Sequence, residues 1–171
     1  IESEHPDWIR PDSPTQRVAP EPRSDLPRVV RSVRMQSLDN TYEKDDLSEF
    51  DRRVREGLGA EARTPGYVVE PKIDGVSLEI TYLDGQMVLA STRGDGTTGE
   101  DVTHNARTIR SIPLAIDEKS QVVVRGEAYI RVGDLAAVNE ERMANGEEPF
   151  ANPRNACAGS LRQLDAAVAA R

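Results

Sequence analysis

The sequence predicts an α+β domain built on an antiparallel sheet, and two observations support this prediction. First, residues 76–82 alternate apolar and polar side chains with the period of two that a half-buried strand requires. Asp84 and Gly85 then supply a two-residue turn, after which residues 87–92 return as the partner strand of a hairpin. Second, segments with helical spacing are mixed with short strands, which together with the dominant hairpin favours the α+β class.

Composition limits the classes of protein that remain. The 171 residues suffice for one hydrophobic core, and 30 acidic against 22 basic residues give a formal charge of −8. A domain whose whole surface binds nucleic acid usually carries a net positive charge, so this acidic balance argues against that class. A local basic strip is still compatible with the composition. A single cysteine, Cys157, excludes an internal disulfide framework and a multi-cysteine zinc site. No apolar run approaches about 20 residues and no secretory signal opens the sequence, so we expect a cytoplasmic protein without membrane contact.

The first thirty residues carry six of the eleven prolines. Proline fixes φ and lacks a backbone N–H, so neither a long helix nor a central strand fits there. We interpret residues 1–30 as an extended connector along a surface, to which Trp8, Ile9 and Val18 favour docking, and a disordered tail is the alternative. Because the sequence starts at Ile1 and not at Met, we also expect a piece of a longer chain.

Helical spacing and capping residues place the helices. A helix is predicted over residues 44–58, where Leu47, Phe50, Val54 and Leu58 recur at helical spacing and the charged residues form a solvated face. Beyond the hairpin, the capping-box spacing of Thr97 and Glu100 predicts a helix over residues 102–109. A valine run predicts a third strand, and the order of Asn152 and Pro153 predicts the N-terminus of a last helix. The strand and the two final helices are predicted over residues 121–130, 134–145 and 154–165.

Three ionisable residues occupy alternate positions just before the hairpin. Glu70, Lys72 and Asp74 would share one face if the strand began at residue 66, and burying that face would be costly unless the charges were paired. They therefore line a cleft or lie on an exposed sheet face. A lysine that is partly desolvated in a cleft loses its proton more readily and becomes a nucleophile.

Two further candidates follow on the next elements. Arg93 opens a glycine-rich turn whose backbone N–H groups suit an anion, although nearby acidic residues favour ribose contacts over a phosphate cradle. An ordinary flexible turn is the alternative for this segment. Glu127, after the valine run, could meet Lys72 across the sheet as a pocket wall or as a ligand of Mg²⁺, or be a surface glutamate.

The last predicted helix carries a possible basic strip. Arg154 and Arg162 lie eight residues apart, about two helical turns, so one face would carry both arginines towards phosphates. A pair of salt-bridged arginines is the alternative. Cys157 fits as a small packing residue, and neither His5 nor His104 belongs to a metal-ligand pattern, so no metal site is predicted from these residues.

Taken in order, these segments resemble the adenylation domain of bacterial NAD-dependent DNA ligases. The resemblance implies an antiparallel-sheet nucleotidyltransferase fold, similar to that of DNA ligases and mRNA capping enzymes. It also implies that residues 31–171 form the first half of that domain and that residues 1–30 connect it to an N-terminal helical domain. The resemblance runs essentially from end to end, through residues 13–17, 35–40, 50–54, 70–75, 92–101, 107–113, 124–127 and 150–165.

The resemblance implies a role for each candidate residue in nick sealing during DNA replication and repair. Lys72 would attack the α-phosphorus of NAD and carry AMP, with Asp74 as the motif acid beside it. AMP would pass to the 5′-phosphate of nicked double-stranded DNA, where the 3′-hydroxyl displaces it, and Arg154 and Arg162 match arginines near the nick. The positions that hold adenosine are matched by Ser37, Leu38 and Glu70, and those around the ribose by Arg93 and Glu127.

The resemblance also sets the expected cofactors and the rival functions. NAD and Mg²⁺ are implied, whereas zinc would belong to a module that this sequence does not contain. The family's phosphate-neutralising lysines and nicotinamide-binding domain have no counterpart here, so we expect the chain alone not to ligate and to adenylate poorly. A truncated paralogue that binds a nucleotide or a partner without catalysis is the main alternative, and an ATP-using nucleotidyltransferase is a weaker one.

Overall fold

A computed structural model describes residues 2, 4–18, 23, 25–59 and 66–171. The chain divides into two compact units. The larger unit comprises Ile1–Met35 and Ile73–Arg171, and the smaller unit comprises Gln36–Lys72. In the described part of the chain, no helix is long and apolar enough to cross a membrane.

The larger unit contains five strands and four α-helices among its described residues. The strands are β1 (Arg28–Val30), β2 (Val76–Leu83), β3 (Gln86–Thr92), β4 (Thr98–Glu100) and β5 (Val122–Ala128). The smaller unit holds α1 (Lys44–Leu58), and the larger unit holds α2 (Thr103–Ala106), α3 (Leu135–Ala144), α4 (Pro153–Leu161) and α5 (Ala166–Ala169). This mixture of helices and antiparallel sheet confirms the predicted α+β class.

The central sheet has the strand order β3-β2-β5, with every pairing antiparallel. Its first two strands form the predicted hairpin. The turn residues Asp84 and Gly85 have φ of 51° and 78°, the positive values that a tight two-residue turn demands. Strand β5 then pairs with the other edge of β2 and confirms the third predicted strand.

One face of the central sheet is buried beneath short helices. Leu78 and Tyr82 point to the same side of β2 because side chains alternate along a strand. Around them, apolar side chains from β3, α2 and α4 form two adjoining clusters. The first contains Tyr82, Met87, Ala90, Ala106 and Leu114, and the second contains Leu78, Val102, Cys157 and Leu161. Cys157 is thus a small packing residue, as predicted.

The predicted capping box at Thr97 and Glu100 is wrong. The Asp95 carboxylate accepts hydrogen bonds from the backbone N–H groups of Thr97 (2.8 Å) and Thr98 (2.7 Å), which forms a turn. Residues 98–100 then pair with β1 as strand β4. The helix that follows has four residues, and the Asp101 carboxylate binds its first backbone N–H, on Thr103, at 2.9 Å.

The predicted C-terminal helices are found with changed ends. Helix α3 stops before Gly146, which has a φ of 76°. Asn152 caps α4 by accepting a hydrogen bond from the Asn155 backbone N–H at 2.8 Å, as predicted. Helix α4 ends at Leu161, however, because Asp165 caps a separate helix, α5, through the Ala167 backbone N–H.

The N-terminal segment docks through polar side chains. Trp8, Ile9 and Val18 are exposed, so the prediction that these apolar residues dock is wrong. Instead, Arg17 donates hydrogen bonds to the backbone carbonyls of three residues of the larger unit. These acceptors belong to Arg107 (2.9 Å), Ile109 (3.2 Å) and Ile112 (3.3 Å).

In the smaller unit, α1 has the predicted bounds and the predicted solvated charged face. Arg52 bridges Glu49 and Glu56 at spacings of three and four residues, both at 2.5 Å. Glu43 and Asp46 close a capping box at the N-terminus. The apolar stripe of α1 is largely exposed, and the Phe50 ring lies 5.9 Å from the Tyr67 ring.

Candidate functional site

Four candidate residues lie in the smaller unit. Ser37, Leu38, Glu70 and Lys72 are all exposed, and the Leu38 side chain keeps 78% of its accessible surface. No strand is found over residues 66–75, so the prediction of a β segment there, with a shared charged face, is wrong. Pro71 cannot donate a backbone hydrogen bond, and these residues have no partner strand in the described part of the chain. The lysine therefore lies on an exposed loop.

Asp74 is the first of the candidate residues that lie in the larger unit. Its side chain is 75% exposed, and its Oδ1 accepts a hydrogen bond from Arg154 Nη1 at 2.9 Å. Directly after it, Gly75 allows close approach to β5. A Cβ on Gly75 would lie 3.1 Å from Tyr129 Cβ and would overlap the Ala128 carbonyl. The start of β2 therefore depends on glycine at this position.

The turn that contains Arg93 is held from several sides. Gly94 and Gly96 have φ of 56° and 95°, a region that favours glycine. Hydrogen bonds from the Thr98 and Thr97 backbone N–H groups lower the pKa of Asp95, so this carboxylate stays ionised at neutral pH. The Met35 backbone N–H donates to the Gly96 carbonyl at 2.8 Å. The segment for which an ordinary flexible turn was the alternative is therefore a well-bonded turn.

Glu127 lies in β5 opposite Ser77 of β2. The Ser77 hydroxyl donates a hydrogen bond to Glu127 Oε2 at 2.8 Å. Burial, and secondarily the negative charge of Glu127, raises the pKa of the Cys157 thiol to about 11. The Glu127 carboxylate thus lies beside Ser77 and near the buried Cys157 thiol, neighbours that the valine run alone did not indicate.

The two candidate DNA-contacting arginines are each engaged in an exposed ion pair. Arg154 binds Asp74, and Arg162 Nη2 lies 2.9 Å from Glu100 Oε1. Arg162 follows the last residue of α4, so the two-turn spacing on one helix face does not apply to it. The alternative of salt-bridged arginines is therefore what the structure contains, with more than half of each side chain exposed.

Sequence reasoning missed a buried arginine. The Arg31 side chain is 1% exposed and its Nε lies 3.2 Å from Glu79 Oε1. Its guanidinium donates to Ser91 Oγ at 3.0 Å, to the Arg93 carbonyl at 2.9 Å and to the Thr92 carbonyl. No local pattern marks this role, because the acceptors lie some 60 residues away.

His104 is also buried, where its Nε2 binds the Gln163 carbonyl at 2.9 Å. That carbonyl can only accept, so Nε2 carries the proton. The neighbouring Asn105 amide donates to the same carbonyl and to that of Leu161. His104 and Asn105 thus bind the backbone at and just after the C-terminus of α4. Among the described residues, no group of three or more metal-ligating side chains is found.

The chemistry available to the candidate residues is therefore divided between the units. The smaller unit presents a primary amine at Lys72 and, two residues earlier in the sequence, the carboxylate of Glu70, both on an exposed loop. The larger unit presents carboxylates at Asp74 and Glu127 together with the arginines, which suit ribose hydroxyls and phosphates. An amine, carboxylates and guanidinium groups are the types of group that nucleophilic chemistry on a phosphorylated substrate requires.

Comparisons with known proteins give a consistent result. Residues 23–171 match a family model described as NAD-dependent DNA ligase adenylation domain. The chain is 53% identical over 174 residues to the DNA ligase of Alkalilimnicola ehrlichii, covering 100% of this chain and 26% of that protein. It is 53% identical to the DNA ligase of Bacillus subtilis and 50% identical to that of Acetivibrio thermocellus, covering 25% of each. The chain thus spans about a quarter of the length of the curated relatives it matches.

Proposed function

The chain belongs to the NAD-dependent DNA ligase adenylation-domain family, and from this premise we propose that it is the part of a nick-sealing enzyme that takes AMP from NAD. Residues 31–171 would form the first half of an antiparallel-sheet nucleotidyltransferase domain. Residues 1–30 would connect it to a preceding helical domain. The substrates of the whole protein would be NAD and nicked double-stranded DNA.

The observation that carries the proposal is the placement of Lys72. This lysine lies inside the family match, on an exposed loop flanked by Glu70 and Asp74. Its amine, once deprotonated, would attack the α-phosphorus of NAD, forming a P–N bond as the P–O bond to nicotinamide mononucleotide breaks. AMP would then pass to the DNA 5′-phosphate, and the 3′-hydroxyl would displace it to seal the nick.

The other candidate residues would bind and orient the reacting groups. Asp74 would lie beside the nucleophile as the motif acid. Arg154 and Arg162 would exchange their present carboxylate partners for phosphates near the nick, since arginine binds both groups in the same bidentate way. Adenosine would be held by Ser37, Leu38 and Glu70, and the ribose by Arg93 and Glu127.

Magnesium would fit this proposal as an ion bound jointly by protein carboxylates and by the phosphate oxygens of NAD. Mg²⁺ commonly takes one or two carboxylates and completes its shell with phosphate oxygens and water. Asp74 and Glu127 offer single carboxylates of this kind, and no larger acidic group occurs among the described residues. The ion would supply charge neutralisation at the phosphates.

The test uses the full-length protein that carries this chain. Incubation with NAD labelled in its adenylate phosphate should leave a covalent label that is lost in both Lys72→Ala and Lys72→Arg. Lys44→Ala is the matched control, because Lys44 is an exposed lysine of the same unit at the start of α1. Retention of the label in both Lys72 variants would refute the assignment of the nucleophile. Labelling from ATP but not from NAD would refute the proposed substrate.

A further inference from the structure

We propose that Arg31, Glu79 and Arg125 form a positioning cluster that sets the backbone of two nucleotide-binding segments. The inference rests on the proposed function, in which Arg93 and Ser37 belong to the NAD site. None of the three cluster residues would touch NAD. They would act through the main chain that carries the residues that do.

Arg31 holds the first of these segments. Its guanidinium lies 1% exposed beneath the turn and donates to the carbonyls of Thr92 and Arg93. A charged donor with a fixed planar fork restrains such carbonyls more strongly than a neutral side chain does. The space is tightly fitted, since a Cβ on Gly99 would lie 2.6 Å from Arg31 Nη2. The Arg93 backbone is therefore fixed from below by a buried cation.

Arg125 holds the second segment. From β5 it donates to the Val33 carbonyl at 2.7 Å and to the Arg34 carbonyl at 3.3 Å. These carbonyls lie a few residues before Ser37 in the sequence. Backbone hydrogen bonds join the same stretch to the Arg93 turn, from Arg31 N–H to the Thr97 carbonyl at 2.9 Å and from Met35 N–H to the Gly96 carbonyl at 2.8 Å. Residues 31–35 and the Arg93 turn are thus joined by hydrogen bonds within the larger unit.

Glu79 links the two arginines. One carboxylate oxygen lies 3.2 Å from Arg31 Nε, and the other accepts a hydrogen bond from Arg125 Nε at 2.8 Å. The Glu79 side chain is only 11% exposed, so its charge is poorly screened by water. Removing that charge would leave two like charges close together, one of them buried and without a counterion. Glu79 is therefore the residue on which the arrangement depends.

The test measures the adenylation step of the full-length protein in three variants. Glu79→Gln removes the charge and keeps the shape, and Arg31→Lys keeps the charge and loses the fork. Arg17→Lys is the matched control. Arg17 also clamps three backbone carbonyls, but those carbonyls belong to Arg107, Ile109 and Ile112, outside both nucleotide segments. Each variant is assayed for KM for NAD, for kcat of AMP-lysine formation and for Tm.

We expect KM for NAD to rise about tenfold in Glu79→Gln and Arg31→Lys, the effect of losing one charged hydrogen bond. The kcat should change less than KM, because the nucleophile itself is untouched. Arg17→Lys should lower Tm and leave KM unchanged. If Glu79→Gln fails to fold, Arg125→Lys decides the same question, because that side chain is 37% exposed and its loss is better tolerated.

The possible failures are distinguishable. A wild-type protein that forms no AMP-lysine would refute the proposed function. A wild-type protein that forms it, with cluster variants that lower Tm but keep the wild-type KM for NAD, would refute the positioning role alone. A KM that rises equally in Arg17→Lys would also refute it, since the effect would then follow from general destabilisation.

Discussion

The buried thiol of Cys157 offers a direct measure of the folded core of the larger unit. Cys157 is 5% exposed and packs in one apolar cluster with Leu78 and Leu161. Burial disfavours the thiolate, and the nearby charge of Glu127 disfavours it further, so the pKa of the thiol rises from 9.0 to about 11. Because the thiolate is the nucleophile, the folded chain should react slowly with alkylating reagents.

The expected magnitude follows from the pKa. At pH 8 a thiol of pKa 9.0 is about one-tenth ionised, and one of pKa about 11 is about one-thousandth ionised. Ionisation alone therefore predicts labelling about 100-fold slower in the folded state than in denaturant, and steric burial adds to this factor. The same shift has a stability consequence. Stability of about 2–3 kcal/mol is fully present below pH 9 and is lost as the pH rises towards 11.

The assay is simple because the 171-residue chain contains one cysteine. Iodoacetamide incorporation at pH 8 is followed by mass spectrometry, with and without denaturant. Glu127→Gln should label faster than wild type, since it removes the second cause of the raised pKa. Glu118→Gln is the control, because Glu118 does not act on this thiol. Labelling of the folded chain within threefold of the denatured rate would refute the reasoning.

Two further predictions concern stability of the larger unit. Leu78→Ala should lower the free energy of unfolding by about 2–5 kcal/mol, because it opens a cavity between the sheet and α4. The control Val88→Ala, on the exposed face of the sheet, should lower it far less. Denaturant titration of both variants measures the difference. Burial raises the pKa of Asp101, but hydrogen bonds from Thr103 and the charge of Arg23 outweigh burial, so the pKa is lowered from 3.8. The ionised carboxylate therefore stabilises the fold above pH 3.8, and this stabilisation is lost as the pH falls through the folded pKa. Measured as Tm between about pH 5 and pH 2, wild type should lose more stability than Asp101→Asn, and an equal loss would contradict the assignment.

Local rules predicted the elements whose geometry is set by neighbouring residues. The Asp84 and Gly85 turn requires positive φ, which these residue types supply without help from the rest of the fold. The cap at Asn152 and the spacing in α1 are equally local. The capping box at Thr97 failed for the opposite reason, since β1 competes for the same backbone from far earlier in the chain. A local capping pattern does not form a helix when a strand from elsewhere in the chain pairs with the same backbone groups.

For the candidate site, the sequence contributed residue types and a resemblance, and the fold contributed the partners. The roles of Lys72, Ser37 and Glu70 remain predictions, while the structure places all three on exposed loop positions. The strand predicted around Lys72 does not form. Pro71 has no backbone N–H to donate, and no strand in the described part of the chain pairs with these residues, so the hydrogen bonds between strands are missing. The ion pairs of Arg154 and Arg162 were weighed as one alternative, and their carboxylate partners became visible only in three dimensions.

The sequence by itself determined the α+β class, the hairpin, the bounds of α1 and the family. These properties depend on periodicity, turn chemistry and motif order, all of which are written in adjacent residues. Only the tertiary structure decided that β1 displaces a predicted cap and that Arg31 is buried beneath the Arg93 turn. A buried guanidinium needs a counterion and several acceptors at once, and here these come from segments some 50 to 60 residues further along the chain. Such convergence is a property of the folded chain and has no local signature.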